Sequence, residues 1–233
     1  MNQTPEDPAL PLACSDGKPK RVSHDVRCTQ VIEAAIHVFS LKGFQGTTTK
    51  EIADVAGINE ALIFRYFHSK QKLYTAIIEY ASTRIDVDAW LRTAALKADT
   101  RDDLDVFGFL AHKLLDAFRK QGELYRLMLY SALERHDLRP MFRARQFGPL
   151  ETFVVAYIRS RQDDGAFVDL DPAWAAKGFL SLCYHEVLLG ALFDEYSASA
   201  EIAAVNLTHL YLNGIRCRPK QLCDSDPSPR KDS

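Results

Sequence analysis

The feature that most constrains this chain is a set of helix start and stop signals within residues 48–67. Thr48-Thr49-Lys50-Glu51 forms a capping box, in which the Thr48 hydroxyl accepts from the Glu51 N–H and the Glu51 carboxylate reaches back to Thr48. A helix is therefore predicted to begin there and to end at Gly57, since glycine readily adopts the left-handed conformation that follows a helix. Asn59 is then placed to cap a further helix.

Two short helices joined by so tight a turn form a helix-turn-helix, whose second helix fits a DNA major groove about 12 Å wide. The first helix is predicted to direct Ile52, Val55 and Ala56 inward, and Ile58 to pack on Ile63. The same geometry also occurs in helical bundles that never meet DNA. The surrounding residues therefore have to distinguish a DNA-binding helix-turn-helix from one that only packs within a bundle.

The charge of this segment favours DNA. Residues 18–72 contain nine Lys and Arg against five Asp and Glu, a net charge of +4 in a chain whose total is −2, so the remainder carries −6. Lys70 is placed in the first turn of a helix, where a cation opposes the helix dipole. It is better placed if it holds a phosphate together with the backbone N–H groups; the alternative is a solvated surface lysine.

The rest of the chain is predicted to be all-α, because apolar residues recur at three- and four-residue spacing and β-branched alternation is absent. Prolines and polar residues dominate residues 1–19 and 218–233, which are predicted to be flexible tails. The predicted helices outside the helix-turn-helix span 25–42, 70–97, 103–120, 123–137, 146–163, 172–195 and 200–216.

Several functional classes are disfavoured. The longest apolar stretch, 187–193, is far shorter than the roughly 20 residues that cross a bilayer, and a cytoplasmic location is predicted. GxSxG, HExxH, P-loop and GxGxxG motifs are absent, so the chain is predicted not to be an enzyme and to need no cofactor. The five cysteines form no CxxC pair and are predicted to be free thiols that bind no metal, with a redox role for Cys28 or Cys183 as the alternative.

One run of residues resembles the DNA-binding domain of the TetR family over roughly residues 27–75. It reads Ala34-Ala35…Phe39…Gly43-Phe44…Thr47-Thr48-Thr49-Lys50-Glu51-Ile52-Ala53…Ala56-Gly57-Ile58-Asn59…Ile63-Phe64-Arg65-Tyr66-Phe67…Ser69-Lys70…Leu73. The resemblance implies a bacterial transcriptional regulator that binds double-stranded operator DNA as a homodimer and responds to a small-molecule effector. It implies no membrane partner.

The domains that the resemblance implies follow the family's order. They are a tail over 1–19, a three-helix helix-turn-helix DNA-binding domain over 20–72, an all-helical ligand-binding and dimerisation domain over 73–217, and a tail over 218–233.

The resemblance also implies the residues that meet DNA: Thr48, Thr49, Lys50, Asn59, Glu60, Ala61, Leu62, Phe64, Arg65, Tyr66 and Lys70. Thr49 and Tyr66 are expected to contact phosphates, Lys70 to anchor one, and Lys50 to contact a base edge or a phosphate. Two positions depart from the family pattern, because Leu62 and Phe64 stand where polar residues are common.

The departures limit which bases can be recognised. Leu62 and Phe64 have no hydrogen-bonding groups but can contact thymine methyls, and Glu60 can accept from a cytosine amino group. Equally, Glu60 can serve only to stabilise its own helix N-terminus. The apolar pair leaves open a second function, a helical interaction protein whose DNA binding is vestigial.

Two further residue sets in the body have alternative interpretations. The last two helices either belong to the core or form a four-helix dimer interface through Val187, Leu189, Phe193, Val205, Leu210 and Leu212. Other large side chains either belong to the core or line an apolar ligand pocket with a few polar groups. These are Phe107, His112, Phe118, Tyr125, Met128, Phe153, Tyr157, Phe179, Cys183 and Tyr184.

Overall fold

Ten α-helices account for most of the residues that the computed structural model describes, which are 24–134, 140, 143–193, 195, 196 and 198–217. In chain order the helices are α1 (His24–Lys42), α2 (Thr49–Ala56), α3 (Glu60–Phe67), α4 (Lys70–Arg84), α5 (Val87–Ala98), α6 (Asp103–Lys120), α7 (Gly122–Leu133), α8 (Gly148–Asp163), α9 (Pro172–Phe193) and α10 (Ala200–Ile215). The all-α prediction is confirmed. The predicted tails, 1–19 and 218–233, lie outside the described residues.

The helix predicted over 70–97 is in fact two helices, α4 and α5. Ile85 leaves the helical conformation with φ −119° and ψ 86°, and the Asp86 carboxylate accepts from the Ala89 N–H at 2.8 Å. Asp86 therefore caps a new helix instead of continuing the old one. The prediction was wrong because the apolar spacing of Leu73, Ile77, Tyr80 and Ala81 was extended past this capping residue.

Three other predicted boundaries also move. Helix α7 ends at Leu133, whereas the predicted helix ran from 123 to 137. Residues 135–137 lie outside the described part of the chain. A π-helical turn, Arg143–Phe147, precedes α8, so the predicted start at residue 146 was early. Helix α9 ends at Phe193 rather than at residue 195.

The centre of the body is a cluster of aromatic rings around the fully buried Phe107 of α6. Its ring centroid lies 4.9 Å from that of Phe179 on α9, 5.1 Å from Tyr211 on α10 and 5.7 Å from Tyr157 on α8. Aromatic side chains of α8, α9 and α10 thus pack around Phe107 of α6. Their rings meet edge-on or tilted, which are arrangements that aromatic pairs favour.

A buried polar network closes the end of the body that is formed by the start of α6. The Asp103 carboxylate accepts from the Tyr157 hydroxyl at 2.8 Å and from Arg161 Nε at 2.8 Å, and Arg216 lies 3.7 Å away. The network joins α6, α8 and the residues after α10. None of the described helices is both long enough and apolar enough to cross a membrane.

Candidate nucleic-acid interface

Helix α1 provides the surface on which the helix-turn-helix is built. Its fully buried Phe39 belongs to the same core as Ile52 of α2 and Ile63 of α3, which are also fully buried. The predicted inward stripe of α2 is only partly confirmed, since Val55 is 54% exposed. The buried face of α2 is formed by Ile52 and Ala53, which leaves Val55 on the outer side.

The capping box of α2 is confirmed atom by atom. Thr48 Oγ1 accepts from the Glu51 N–H at 3.2 Å, and Glu51 Oε2 accepts from the Thr48 N–H at 2.8 Å. The other carboxylate oxygen pairs with Lys42 Nζ at 2.5 Å, which ties the start of α2 to the end of α1. The orientation of α2 is therefore set by charge as well as by burial.

Acid is expected to release this cap only at very low pH. The pKa of Glu51 is lowered to about 2, first by the hydrogen bond from Lys42 and then by those from Thr48, whereas a free glutamate titrates near ~4.3. The stabilisation is therefore complete above about pH 4.3 and is lost as the pH falls through the folded-state pKa. We expect the NMR shift of the Thr48 amide to titrate with a midpoint at a pH of about 2, and Lys42→Ala to raise that midpoint. A wild-type midpoint of about 4.3 would contradict the cap.

The turn between α2 and α3 also forms as predicted. Gly57 adopts φ +65°, and the N–H groups of Gly57 and Ile58 donate to the last carbonyls of α2 at 3.2 and 3.0 Å. The Asn59 side chain then accepts from the Ala61 N–H at 2.8 Å and begins α3. A short turn with both caps in place holds α3 at a fixed angle to α2.

The predicted DNA-contacting residues divide by exposure. Those with exposed side chains are Thr48, Lys50, Asn59, Ala61, Phe64 and Arg65, whereas Thr49, Glu60, Leu62, Tyr66 and Lys70 are half-buried. Helix α3 therefore presents an aromatic ring and a guanidinium outward, and Lys50 of α2 presents an ammonium.

Glu60 has a contact that neither sequence interpretation anticipated. The Thr49 hydroxyl donates to the Glu60 carboxylate, which links the first residue of α2 to the first residue of α3. In this arrangement the Thr49 hydroxyl proton is not available to a phosphate. The Thr49 backbone N–H lies in the first turn of α2, where N–H groups have no partner within the helix and suit an anion.

Lys70 lies against an aromatic ring. Its Nζ is 4.2 Å from the ring centroid of Phe44, in the turn after α1. Burial lowers the pKa of Lys70, and the charges of Glu134 and Glu51 oppose that effect. Ser69 caps α4 by accepting from the Lys72 N–H at 3.1 Å. An ammonium over a ring keeps donors free for a second partner, so the stacking does not remove the expected phosphate contact.

One residue that holds this region was not found by sequence reasoning. The Glu134 carboxylate, directly after α7, accepts from the N–H groups of Phe44 and Gln45 at 3.0 and 3.2 Å. Glu134 lies about ninety residues away in the chain, so no local pattern links it to the turn.

Among the described residues, no three His, Cys, Asp or Glu side chains are grouped as metal ligands would be.

Comparison with known proteins agrees with this geometry in both halves of the chain. The family model of the bacterial regulatory proteins of the tetR family matches residues 31–77, and that of the C-terminal domain of AefR-like transcriptional repressors matches residues 110–208. The chain belongs to the TetR family. It is therefore a helix-turn-helix, DNA-binding transcriptional regulator, and its α2 and α3 lie within the family's DNA-binding segment.

Individual relatives in this family are distant. The nucleoid occlusion factor SlmA of Haemophilus influenzae is 29% identical over 160 residues, which are 67% of this chain and 72% of SlmA. The ketosteroid transcriptional regulator KstR2 of Mycobacterium tuberculosis superposes with a TM-score of 0.64 at 18% identity, over 82% of this chain and 96% of that one. A putative TetR-family regulator from Mesorhizobium loti gives 0.61 at 20% identity, over 82% and 97%. The two structures establish the fold.

In this TetR-family chain the residues predicted to line a ligand pocket do not form one group. Phe107, Tyr157 and Phe179 belong to the packed aromatic core. Phe118 and Tyr125 form a second cluster with Tyr184, whose ring also lies 5.3 Å from that of Phe147.

The remaining members of that set have separate surroundings. Met128 and Cys183 are buried, whereas His112 lies 3.4 Å from Glu201 of α10. The half-buried Phe153 lines, with Tyr157, a groove of about 380 Å³ between α5 and α8.

The predicted dimer residues also separate. Phe193, Val205 and Leu210 are exposed and Leu189 is half-buried, so these four are accessible to a second subunit. Val187 and Leu212 are each 1% exposed and belong to the core of the monomer. Burial within one chain accounts for the apolar character of these two side chains, which have almost no surface accessible to a second subunit.

Proposed function

We propose that this protein is a homodimeric repressor that binds a palindromic operator through α3 and is released by a small, mostly apolar ligand. The observation that carries the proposal is that α3, which is capped at both ends, has Phe64 and Arg65 exposed, and that Lys50 is exposed on α2. Two such helices one DNA turn apart, about 34–36 Å, match a palindrome.

The surface of α9 and α10 supports a dimer. Besides the accessible predicted residues, Leu192 and Ile202 are also more than half exposed. Large apolar side chains that face solvent on neighbouring helices are a cost unless a partner covers them. A second copy of this chain, placed across a two-fold axis, would bury them in a four-helix interface.

The second aromatic cluster is the better place for an effector. Phe118, Tyr125 and Tyr184 belong to three different helices, and the π-helical turn that ends at Phe147 adjoins them. Single π-helical turns are frequent at functional sites. To weaken operator binding about 100-fold, a ligand there needs roughly 2.7 kcal/mol of differential affinity between the two states of the dimer.

The test of DNA binding begins with genomic fragments selected by the purified protein. Lys50→Ala combined with Arg65→Ala is expected to lower affinity for the recovered duplex at least about tenfold. It is also expected to reduce the dependence of log affinity on log salt by about one for each phosphate that the protein no longer binds. Fluorescence anisotropy over a salt series measures both.

The control is Arg159→Ala, which removes one exposed positive charge from α8, a helix of the body and not of the helix-turn-helix. Its affinity is expected to stay within about twofold of wild type, since an exposed charge that does not contact the DNA is largely screened. If the double variant binds as tightly as this control, the interaction-protein alternative is favoured and the proposed interface is wrong.

A further inference from the structure

The turn between α1 and α2 is held by a carboxylate from the body. Glu134 offers one oxygen to the Phe44 N–H at 3.0 Å and the other to the Gln45 N–H at 3.2 Å. A turn of this kind has no helical partner for its N–H groups, so a bidentate carboxylate satisfies both. Hydrogen bonds to a charged group are also stronger than neutral ones.

Gly43 makes this close approach possible. It adopts φ +70°, and a Cβ at this position would overlap the Glu134 carboxylate and lie 3.1 Å from the Tyr130 ring. Gly43 therefore serves two purposes: it ends α1 and it leaves room for a side chain of α7 and its C-cap.

The same contact reaches the start of α4. The Phe44 ring, whose backbone N–H bonds to Glu134, lies under the Lys70 ammonium at 4.2 Å. It also lies 5.1 Å from the ring of the buried Tyr74. A displacement of Glu134 would therefore move the turn before α2 and the first residue of α4 together.

Helix α7 joins this contact to the interior of the body. Its Tyr125 belongs to the aromatic cluster proposed for the effector. Glu134 lies nine positions later, a helical rise of about 13.5 Å at 1.5 Å per residue. A second contact, between His37 of α1 and Glu123 of α7 at 2.6 Å, fixes the other end of the helix. Helix α7 thus connects the body with α1 at both of its ends.

We propose that Glu134 is a positioning residue for operator binding, which sets the angle of the helix-turn-helix relative to the body and passes movements of α7 to it. This inference rests on the proposed function, because it assumes that two helix-turn-helix units must be correctly spaced. It connects the body with the DNA-binding domain through α7 and the turn at Phe44.

The test compares a palindrome with its half-site. Glu134→Ala is expected to lower affinity for the palindromic duplex recovered by the wild-type protein about tenfold, while affinity for a duplex with one half-site stays within about twofold. Glu134→Gln retains one acceptor and is expected to fall between. Asp116→Asn, which neutralises the carboxylate of a partly exposed pair with Lys120 within α6, is the control and is expected to bind both duplexes as wild type does.

Several outcomes would overturn the inference. Equal losses on palindrome and half-site would mean that Glu134 only supports the folding of the helix-turn-helix. Unchanged binding to both would mean that it positions nothing.

Amide hydrogen exchange tests the clamp, which is the contact of the Glu134 carboxylate with the Phe44 and Gln45 N–H groups, without DNA. Exchange of these two amides is expected to be about tenfold or more faster in Glu134→Ala than in wild type. Unchanged exchange would also contradict the inference. If wild type selects no duplex at all, the proposed function fails, and the exchange result still decides whether the clamp exists.

Discussion

Replacing Asp103 with alanine is expected to lower the free energy of unfolding by about 3–5 kcal/mol. The Asp103 and Arg161 side chains are only 7% and 13% exposed, and they meet at 2.8 Å. Removing the carboxylate takes away the acceptor of Arg161 Nε and Nη2 and of the Tyr157 hydroxyl, while Arg161 Nη1 keeps its pair with Asp164 at 2.8 Å. Buried polar groups that lose their partner cost far more than the pair contributes.

Urea unfolding followed by circular dichroism measures this effect. The control is Asp105→Ala, two residues along the same helix, whose pairing with Lys97 at 2.8 Å is partly exposed to solvent. A pair of that kind contributes about 1 kcal/mol or less. Similar losses for the two variants would show that the Asp103 network is no more important to stability than a surface pair.

The helix-turn-helix could be predicted because its signals are local. The capping box at Thr48, the left-handed Gly57 and the Asn59 cap each act within four residues, and all three occur as predicted. Local signals also explain one failure, since Asp86 was present in the sequence as a capping residue but was outweighed by the periodicity around it.

The contacts between distant segments could not be predicted in this way. Glu134 and the turn at Phe44 are brought together by the packing of α7 on α1, which no spacing in the sequence reveals. The Thr49–Glu60 hydrogen bond is similar, since it depends on the angle between α2 and α3. Sequence periodicity gives the buried face of a helix but not the helix that covers it.

The same limit explains why the sequence could not separate core residues from residues of a pocket or a dimer interface. Val187 and Phe193 lie on one helix, yet the first is 1% exposed and the second 63%. Helix α9 is apolar around most of its circumference, so composition could not tell its inner from its outer side.

Phe107→Ala is expected to lower the free energy of unfolding by about 3–5 kcal/mol, because it removes a fully buried ring from a close-packed site. Its neighbours Phe179 and Tyr211 belong to other helices and cannot close the space without moving them. Chemical denaturation measures the loss.

Phe153→Ala is the matched control, since this ring was assigned to the same predicted pocket but is half-buried beside an open groove. Its expected loss is about 1–2 kcal/mol, because less apolar surface leaves the interior and the space remains open to water. If Phe107 lined a ligand cavity instead of filling the core, its ring would already lack close neighbours on one side, and the two variants would lose similar stability. A large difference between them would place the effector site away from Phe107, and would favour the Tyr125 and Tyr184 cluster.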